Sequence, residues 1–110
     1  TEQERLPWRA EVVGRYLRTG LRELAESHEV ISEVRGPGLV VGVELVQPDG
    51  SPARPAADFV QNEMRERRVL IGRTGPSGNV LKIRPPLVFT EEHADLLLKT
   101  LDDVLRAWRP

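Results

Sequence analysis

The chain has 110 residues, 16 Lys+Arg against 17 Asp+Glu, and no cysteine. That length serves one hydrophobic core. The near-neutral charge argues against a nucleic-acid or anionic-membrane binder, which needs a basic excess. The lack of cysteine excludes a disulfide scaffold, thiol catalysis, iron–sulfur clusters and the usual structural zinc site. His28 and His93 are the only histidines, so no histidine-rich metal centre is expected, and all basic residues but Lys82 and Lys99 are arginines. No apolar run approaches the roughly 20 residues that span a bilayer. The polar start, Thr1 to Arg5, lacks a signal-peptide pattern and reads as a cytoplasmic protein. A first residue other than methionine reads as a fragment, a single domain cut from a longer protein, or a processed product.

The elements follow from spacing and punctuation. Val13, Tyr16, Leu17, Leu21 and Leu24 recur at helical intervals and predict a helix over about 8–27, weakened by Gly14 and Gly20. Ile31 to Arg35 reads as a short strand running into a tight Gly36-Pro37-Gly38 turn. Residues 39–46 predict a second strand with Leu39, Val41, Val43 and Leu45 on one face and Val40, Gly42, Glu44 and Val46 on the other. Gln47 to Pro55, with Pro48, Pro52 and a Pro-Asp-Gly sequence, is an exposed loop. A helix over about 56–68 aligns Ala56, Val60, Met64 and Arg67, and Val69-Leu70-Ile71 reads as a buried strand. After a Gly/Ser/Pro loop, residues 80–84 predict a further strand closed by Pro85-Pro86. Thr90 is a natural N-cap for a helix over about 90–108, carrying Ala94, Leu97, Leu101, Val104, Leu105 and Trp108 on one stripe. Three helices and four short strands in this order predict an α+β two-layer sandwich, a mainly antiparallel sheet with the helices on one face.

Candidate chemistry is sparse. The glycines of Gly36-x-Gly38-x-x-x-Gly42 are followed by a strand rather than a helix, and the spacing is one residue too long for a dinucleotide fingerprint, so they read as a hairpin-type turn. His28 and His93 sit at helix ends as surface or capping residues. Glu91-Glu92 reads as a dipole-matched helix start and Asp102-Asp103 as a solvated face. In Asn79 to Leu87, Leu81 and Ile83 alternate with Lys82 and Arg84, so both cations leave one face of a strand. Two cations stopped by a rigid Pro-Pro suit an anion clamp for carboxylate or phosphate. The same pattern also describes a half-buried strand with a charged solvent side.

The run Val34-Arg35-Gly36-Pro37-Gly38-Leu39-Val40-Val41-Gly42-Val43-Glu44-Leu45 resembles the "v-R-G-x-G-L-x-x-G-v-E-l" signature of class III aminotransferases, pyridoxal-phosphate enzymes of fold type I. Val69-Leu70-Ile71-Gly72 and then Asn79-Val80-Leu81-Lys82-Ile83-Arg84-Pro85-Pro86-Leu87 resemble the family's "G-V-L … N-V-L-R-x-x-P-P-L" block, and Thr90-Glu91-Glu92 with the closing helix is similar to its C-terminal end. The resemblance spans about residues 8–108. It implies that residues 1–110 form one domain, the C-terminal small domain of a longer enzyme, docked on a large cofactor-binding domain of the same chain and assembled as a homodimer.

It also implies that pyridoxal 5'-phosphate is bound by the full-length enzyme through a lysine that neither Lys82 nor Lys99 matches. This chain alone then supplies no catalytic, cofactor-binding or metal-binding residue. Lys82 stands where many class III transaminases carry an arginine that pairs with a substrate carboxylate, and a lysine lacks that planar fork. The wording around Lys82 is closer to the branch with amino-alcohol phosphate lyases. The expected substrate-binding residues are therefore Lys82 and Arg84, with a small-molecule amine as substrate. The expected activity is amino-group transfer between an amine or amino acid and a keto acid. A phospho-lyase acting on a phosphorylated amino alcohol is one alternative, and a non-catalytic α+β binding or regulatory module is another. Val40, Val46 and Val80 lying beside Lys82 on a face with no covering layer would favour the enzyme, and a compact, fully covered chain would favour the module.

Overall fold

A computed structural model of the chain describes residues 2–36, 40–85 and 89–109, with the side chains of the first helix described from Glu11 onward. The first apolar stripe forms α1, Glu2–Ser27, which begins earlier than its periodicity predicts. Val13, Leu17 and Leu21 are buried, while Tyr16 lies at the stripe's edge and half emerges. Gly20 has a positive role that offsets its low helix propensity: a Cβ there would overlap the Leu98 side chain, so the glycine lets α1 approach the last helix closely.

Two hydrogen bonds turn the chain from α1 into β1, Ile31–Arg35: His28 N–H to Leu24 O and Ile31 N–H to His28 O, both 3.0 Å. The register with β2, Val41–Leu45, shifts between Ile31 and Glu33, and this irregularity puts both Ile31 and Val34 into the core. β2 alternates as predicted, with Val41, Val43 and Leu45 fully buried and Gly42 and Glu44 between them half-buried. It is shorter than the predicted 39–46: Leu39 lies outside the described residues, and Val46 makes only an isolated bridge to Pro52. In the loop beyond it, the Asp49 carboxylate accepts from Ser51 N–H at 2.9 Å and Ser51 Oγ at 2.6 Å, which holds the Asp-Gly turn and lowers the Asp49 pKa.

α2 spans Arg54–Glu66 with Pro55 in its first turn, where the missing N–H has no intrahelical role. Ala56, Val60 and Met64 are buried as expected, whereas Arg67 leaves the stripe for solvent and pairs with Glu63. The expected strand at Val69-Leu70-Ile71 does not form. Those residues complete the helix end: Arg68 turns the chain at φ 64, Val69 N–H bonds to Met64 O at 2.8 Å, and Leu70 is 82% exposed. Pairing starts only at β3, Gly72–Thr74. β4 spans Val80–Ile83, one residue short of its predicted end, and the buried Asn79 ahead of it donates from Nδ2 to Leu45 O at 2.8 Å.

The strands form one antiparallel sheet in the order β1-β2-β4-β3. α1 packs on β1 and β2, and α2 on β2, β4 and β3. α3, Glu91–Ala107, packs across both helices. Its N-terminus is capped in both directions by Thr90 and His93, and its stripe is buried from Ala94 to Leu105. Trp108 lies past the helix end, with its ring 5.3 Å from that of Phe59. The core therefore occupies one side of the sheet, which is the expected α+β two-layer sandwich.

Polar contacts join the helices at the rim. His28 Nε2 lies 2.7 Å from Asp102 Oδ1, and Arg106 takes the other carboxylate oxygen at 2.9 Å. His28 is thus a half-buried link between α1 and α3 rather than a surface cap. Only Asp103 of the acidic pair keeps to the expected solvated face, where it meets Lys99 at 3.3 Å. Tyr16 donates its hydroxyl proton to Asp95 at 2.6 Å.

That hydrogen bond, more than desolvation or the surrounding carboxylates, raises the Tyr16 pKa. The protonated form is the one the fold favours, so its stabilising contribution is present below pH about 10 and is lost as pH rises through the raised folded value. In urea unfolding of the 110-residue chain, stability should fall more steeply above pH about 10 in the native sequence than in Tyr16→Phe. Parallel profiles for the two proteins would remove this link.

Candidate functional site

Alternation along β4 sends Leu81 and Ile83 into the core and Lys82 to the face that none of the described helices covers. Lys82 lies in register between Gly42 on β2 and Gly72 on β3, and beyond Gly42 the same row ends at Arg35 on β1. The next row holds Glu44, Val80 and Thr74. Val80 is buried on this side of the sheet, next to Gly42 and Gly75.

Three cations stand on the strands, and two are engaged. Arg35 donates to Glu33 at 3.0 Å and to Glu44 at 3.4 Å. Arg73 is turned toward α2, where it pairs with Asp58 and donates to Gly78 O at 3.0 Å. The Lys82 side chain makes no hydrogen bond or ion pair with any described residue, although Lys82 is half-buried. A half-buried ammonium with three donors and no partner is suited to receive phosphate or carboxylate oxygens.

Arg84 lies past the end of β4, is exposed, and has no partner among the described residues. Strand pairing therefore fixes the direction of Lys82 but not of Arg84, and the face the two were expected to share is defined for Lys82 alone. Pro86 to Val88 and the Pro37 to Leu39 turn lie outside the described residues. The row Arg35–Gly42–Lys82–Gly72 was not visible in the sequence. Its members come from three separate segments, and only the antiparallel register aligns them.

The described residues do not compose a pyridoxal phosphate site. That cofactor requires a lysine for its aldehyde, an acid at its ring nitrogen and a cradle for its phosphate. Lys99 is committed to Asp103 on the outside of α3, and the carboxylate nearest the Lys82 row, Glu44, is held on Arg35. A groove of about 330 Å³ lies elsewhere, between Val30, Val46, Pro48, Ala53, Pro55 and Trp108, and its described lining carries no lysine or arginine. Among the described residues no cluster of His, Cys, Asp and Glu is placed to hold a metal ion, and no helix is long and apolar enough to cross a membrane.

The family description "Aminotransferase class-III" matches residues 1–105. The chain is 45% identical over 103 residues to alanine–glyoxylate aminotransferase 2 homolog 2, mitochondrial, of Arabidopsis thaliana, covering 92% of this chain and 22% of that protein. It is 41% identical over 109 residues to an alanine–glyoxylate aminotransferase 2-like protein of Drosophila melanogaster, again spanning only 22% of its length. Among solved structures it superimposes on a phospholyase from Arthrobacter in complex with phosphoethanolamine at a TM-score of 0.93 and 41% identity, covering 98% of this chain and 26% of that one. A Bacillus anthracis aminotransferase matches at 0.87 and 31%, over 97% of this chain and 25% of its own.

If Lys82 has no structural partner, neutralising it should leave the fold intact. Lys82→Met should change the unfolding free energy of the 110-residue chain by less than about 0.5 kcal/mol, whereas Arg73→Met should cost about 1 kcal/mol or more. Denaturant titration compares them directly. A loss at Lys82 as large as that at Arg73 would make it a structural residue.

Proposed function

Since this chain belongs to the class III aminotransferases, we propose that it is the C-terminal small domain of a pyridoxal-phosphate enzyme and that Lys82 receives the anionic end of its amine substrate. The observation that carries this reading is the ammonium of Lys82, which has no partner among the described residues and lies on the sheet face that none of the described helices covers. The family uses pyridoxal phosphate, and the poor fit of this chain's own lysines supports a cofactor held in a part of the protein outside these residues. That the chain spans about a fifth of its relatives' length supports the same division. In this reading the uncovered sheet face lies toward the large domain of the same polypeptide, and the whole enzyme is a homodimer.

The contribution of this chain to the reaction is positional. The sheet fixes the Lys82 backbone, and its ammonium would hold a substrate carboxylate or phosphate by charge-assisted hydrogen bonds. That anchor orients the amine for chemistry carried out by residues elsewhere. Arg84, just past the strand, is the candidate for a second, exposed cation at the same anion. The leading activity is amino-group transfer from an amine or amino acid to a keto acid.

A phospho-lyase is the second reading, favoured by the likeness to the Arthrobacter phospholyase structure with phosphoethanolamine and by a lysine where a planar fork would suit carboxylate better. A non-catalytic binding module has less support, because an independent module has no need to leave Lys82 uncovered and unpaired. The expectation of a cytoplasmic protein stands beside a relative named as mitochondrial, and localisation of the tagged full-length protein decides between the two.

The test uses the full-length protein that contains this chain. Turnover that strictly requires a keto-acid acceptor identifies the transaminase, and release of inorganic phosphate from phosphoethanolamine without an acceptor identifies the lyase. In either case Lys82→Met should raise KM for the anionic substrate roughly 10- to 100-fold, the effect of losing a charged hydrogen bond. An unchanged KM would overturn the role assigned to Lys82.

A further inference from the structure

Past the start of β1 and the end of β2 lies the groove of about 330 Å³, a size that suits a small ligand. Its walls are held in place by hydrogen bonds. Val46 N–H bonds to Val30 O at 2.8 Å, and Gln47 N–H bonds to Ser51 O at 2.8 Å across the following loop. Gln47 Nε2 also donates to Pro52 O at 3.3 Å. Pro48 and Pro55 add rigid rings to the lining. Trp108 supplies the aromatic surface, and its ring packs on Phe59 at 5.3 Å. The groove is therefore built before any ligand arrives.

Its charge has one sign. Glu29 is the single charged residue of the described lining, and its carboxylate has no hydrogen bond or ion pair with any described residue. Cationic groups near the lining in the chain are engaged elsewhere. His28 is held on Asp102, as is Arg106. Arg109 folds back on the carbonyls of Arg106 and Trp108, at 2.9 and 3.1 Å. The Arg54 side chain lies beside Gly78.

An indole, aliphatic walls and an unpaired carboxylate together suit an organic ammonium ion. The ring face and the carboxylate attract the charge, while the walls take the hydrocarbon out of water. An organic acid would meet Glu29 as a like charge. A bare metal ion would find one carboxylate where it needs several ligands. We propose that this groove binds a small organic ammonium ion, its hydrocarbon body against Val30, Val46 and Trp108 and its charge beside Glu29. The inference does not rest on the role of Lys82, whose charge suits an anion. A bound cation would join the loop after β2, the start of α2 and the end of α3, so it should also raise the unfolding midpoint.

The experiment titrates benzyltrimethylammonium into the full-length holoenzyme by calorimetry, with benzyl alcohol and phenylacetate as neutral and anionic counterparts. The quaternary nitrogen carries no N–H, so the probe cannot condense with an aldehyde. The native protein should bind the cation with a Kd of about 1 mM or tighter, and each counterpart at least about threefold more weakly. Glu29→Gln should weaken the cation about two- to fivefold, and the charge reversal Glu29→Lys should weaken it further. Trp108→Leu should cost about threefold or more, whereas Lys82→Met should change nothing. A native protein that binds none of the probes overturns the site. Equal affinity for the cation and benzyl alcohol, or a cation affinity indifferent to both Glu29 variants, overturns the ammonium class. A loss in Lys82→Met as large as that in Glu29→Lys overturns the placement in the groove.

Discussion

Side chains on β2 and β4 alternate, and the chain is organised around the two faces that result. Val41, Val43, Leu45, Leu81 and Ile83 go to one side, where α1 and α2 lie against the sheet and α3 closes over them. Gly42, Glu44, Val80 and Lys82 go to the other, where no described helix lies, although Val80 is buried there beside Gly42 and Gly75. The hydrophobic effect accounts for the first side: burying a large aliphatic side chain contributes roughly 1.5–3 kcal/mol, and the helical stripes match the sheet in number and position. It does not account for the second. Burial of apolar area does not explain Lys82, which is half-buried with no side-chain partner among the described residues.

The rim contacts serve the same division. Gly20 lets α3 come close to α1, and the His28–Asp102–Arg106 and Tyr16–Asp95 contacts fasten the two helices at opposite ends of their contact. These links hold the helical layer as a unit without drawing polar groups into the core. The helix-free face is then free to carry charge. On it, Arg35 is held between Glu33 and Glu44, while the Lys82 side chain has no carboxylate partner among the described residues.

Helices and the direction of Lys82 were legible from local pattern. Thr90 followed by acids and an i, i+3, i+4 stripe locates α3 almost to the residue, and strict alternation from Leu81 to Arg84 was enough to turn Lys82 away from the core. β3 was not legible, because the residues with strand composition, Val69 to Ile71, are used in ending α2, while Gly72-Arg73-Thr74 pair only because β4 is beside them. Arg67 left its predicted stripe at a helix end, where one turn more or less changes the face a residue occupies, while Trp108 packs against the core from just past its helix. The His28–Asp102 pair, 74 residues apart, and the glycine flanks of Lys82 depend on packing and register, which no local window contains. The family signature added what local physics could not, a likeness to enzymes of whose length this chain spans about a fifth.

The central claim is that the exposed side of this sheet is an active-site wall and that Lys82 is its anion contact. A structure of the full-length protein with phosphoethanolamine bound tests this most directly. The account predicts that the face bearing Gly42 and Lys82 is covered by the rest of the polypeptide, with Lys82 Nζ within about 3 Å of a substrate phosphate oxygen. A structure in which that face stays open to solvent, or in which the ligand's anion is held entirely by other residues, would contradict it.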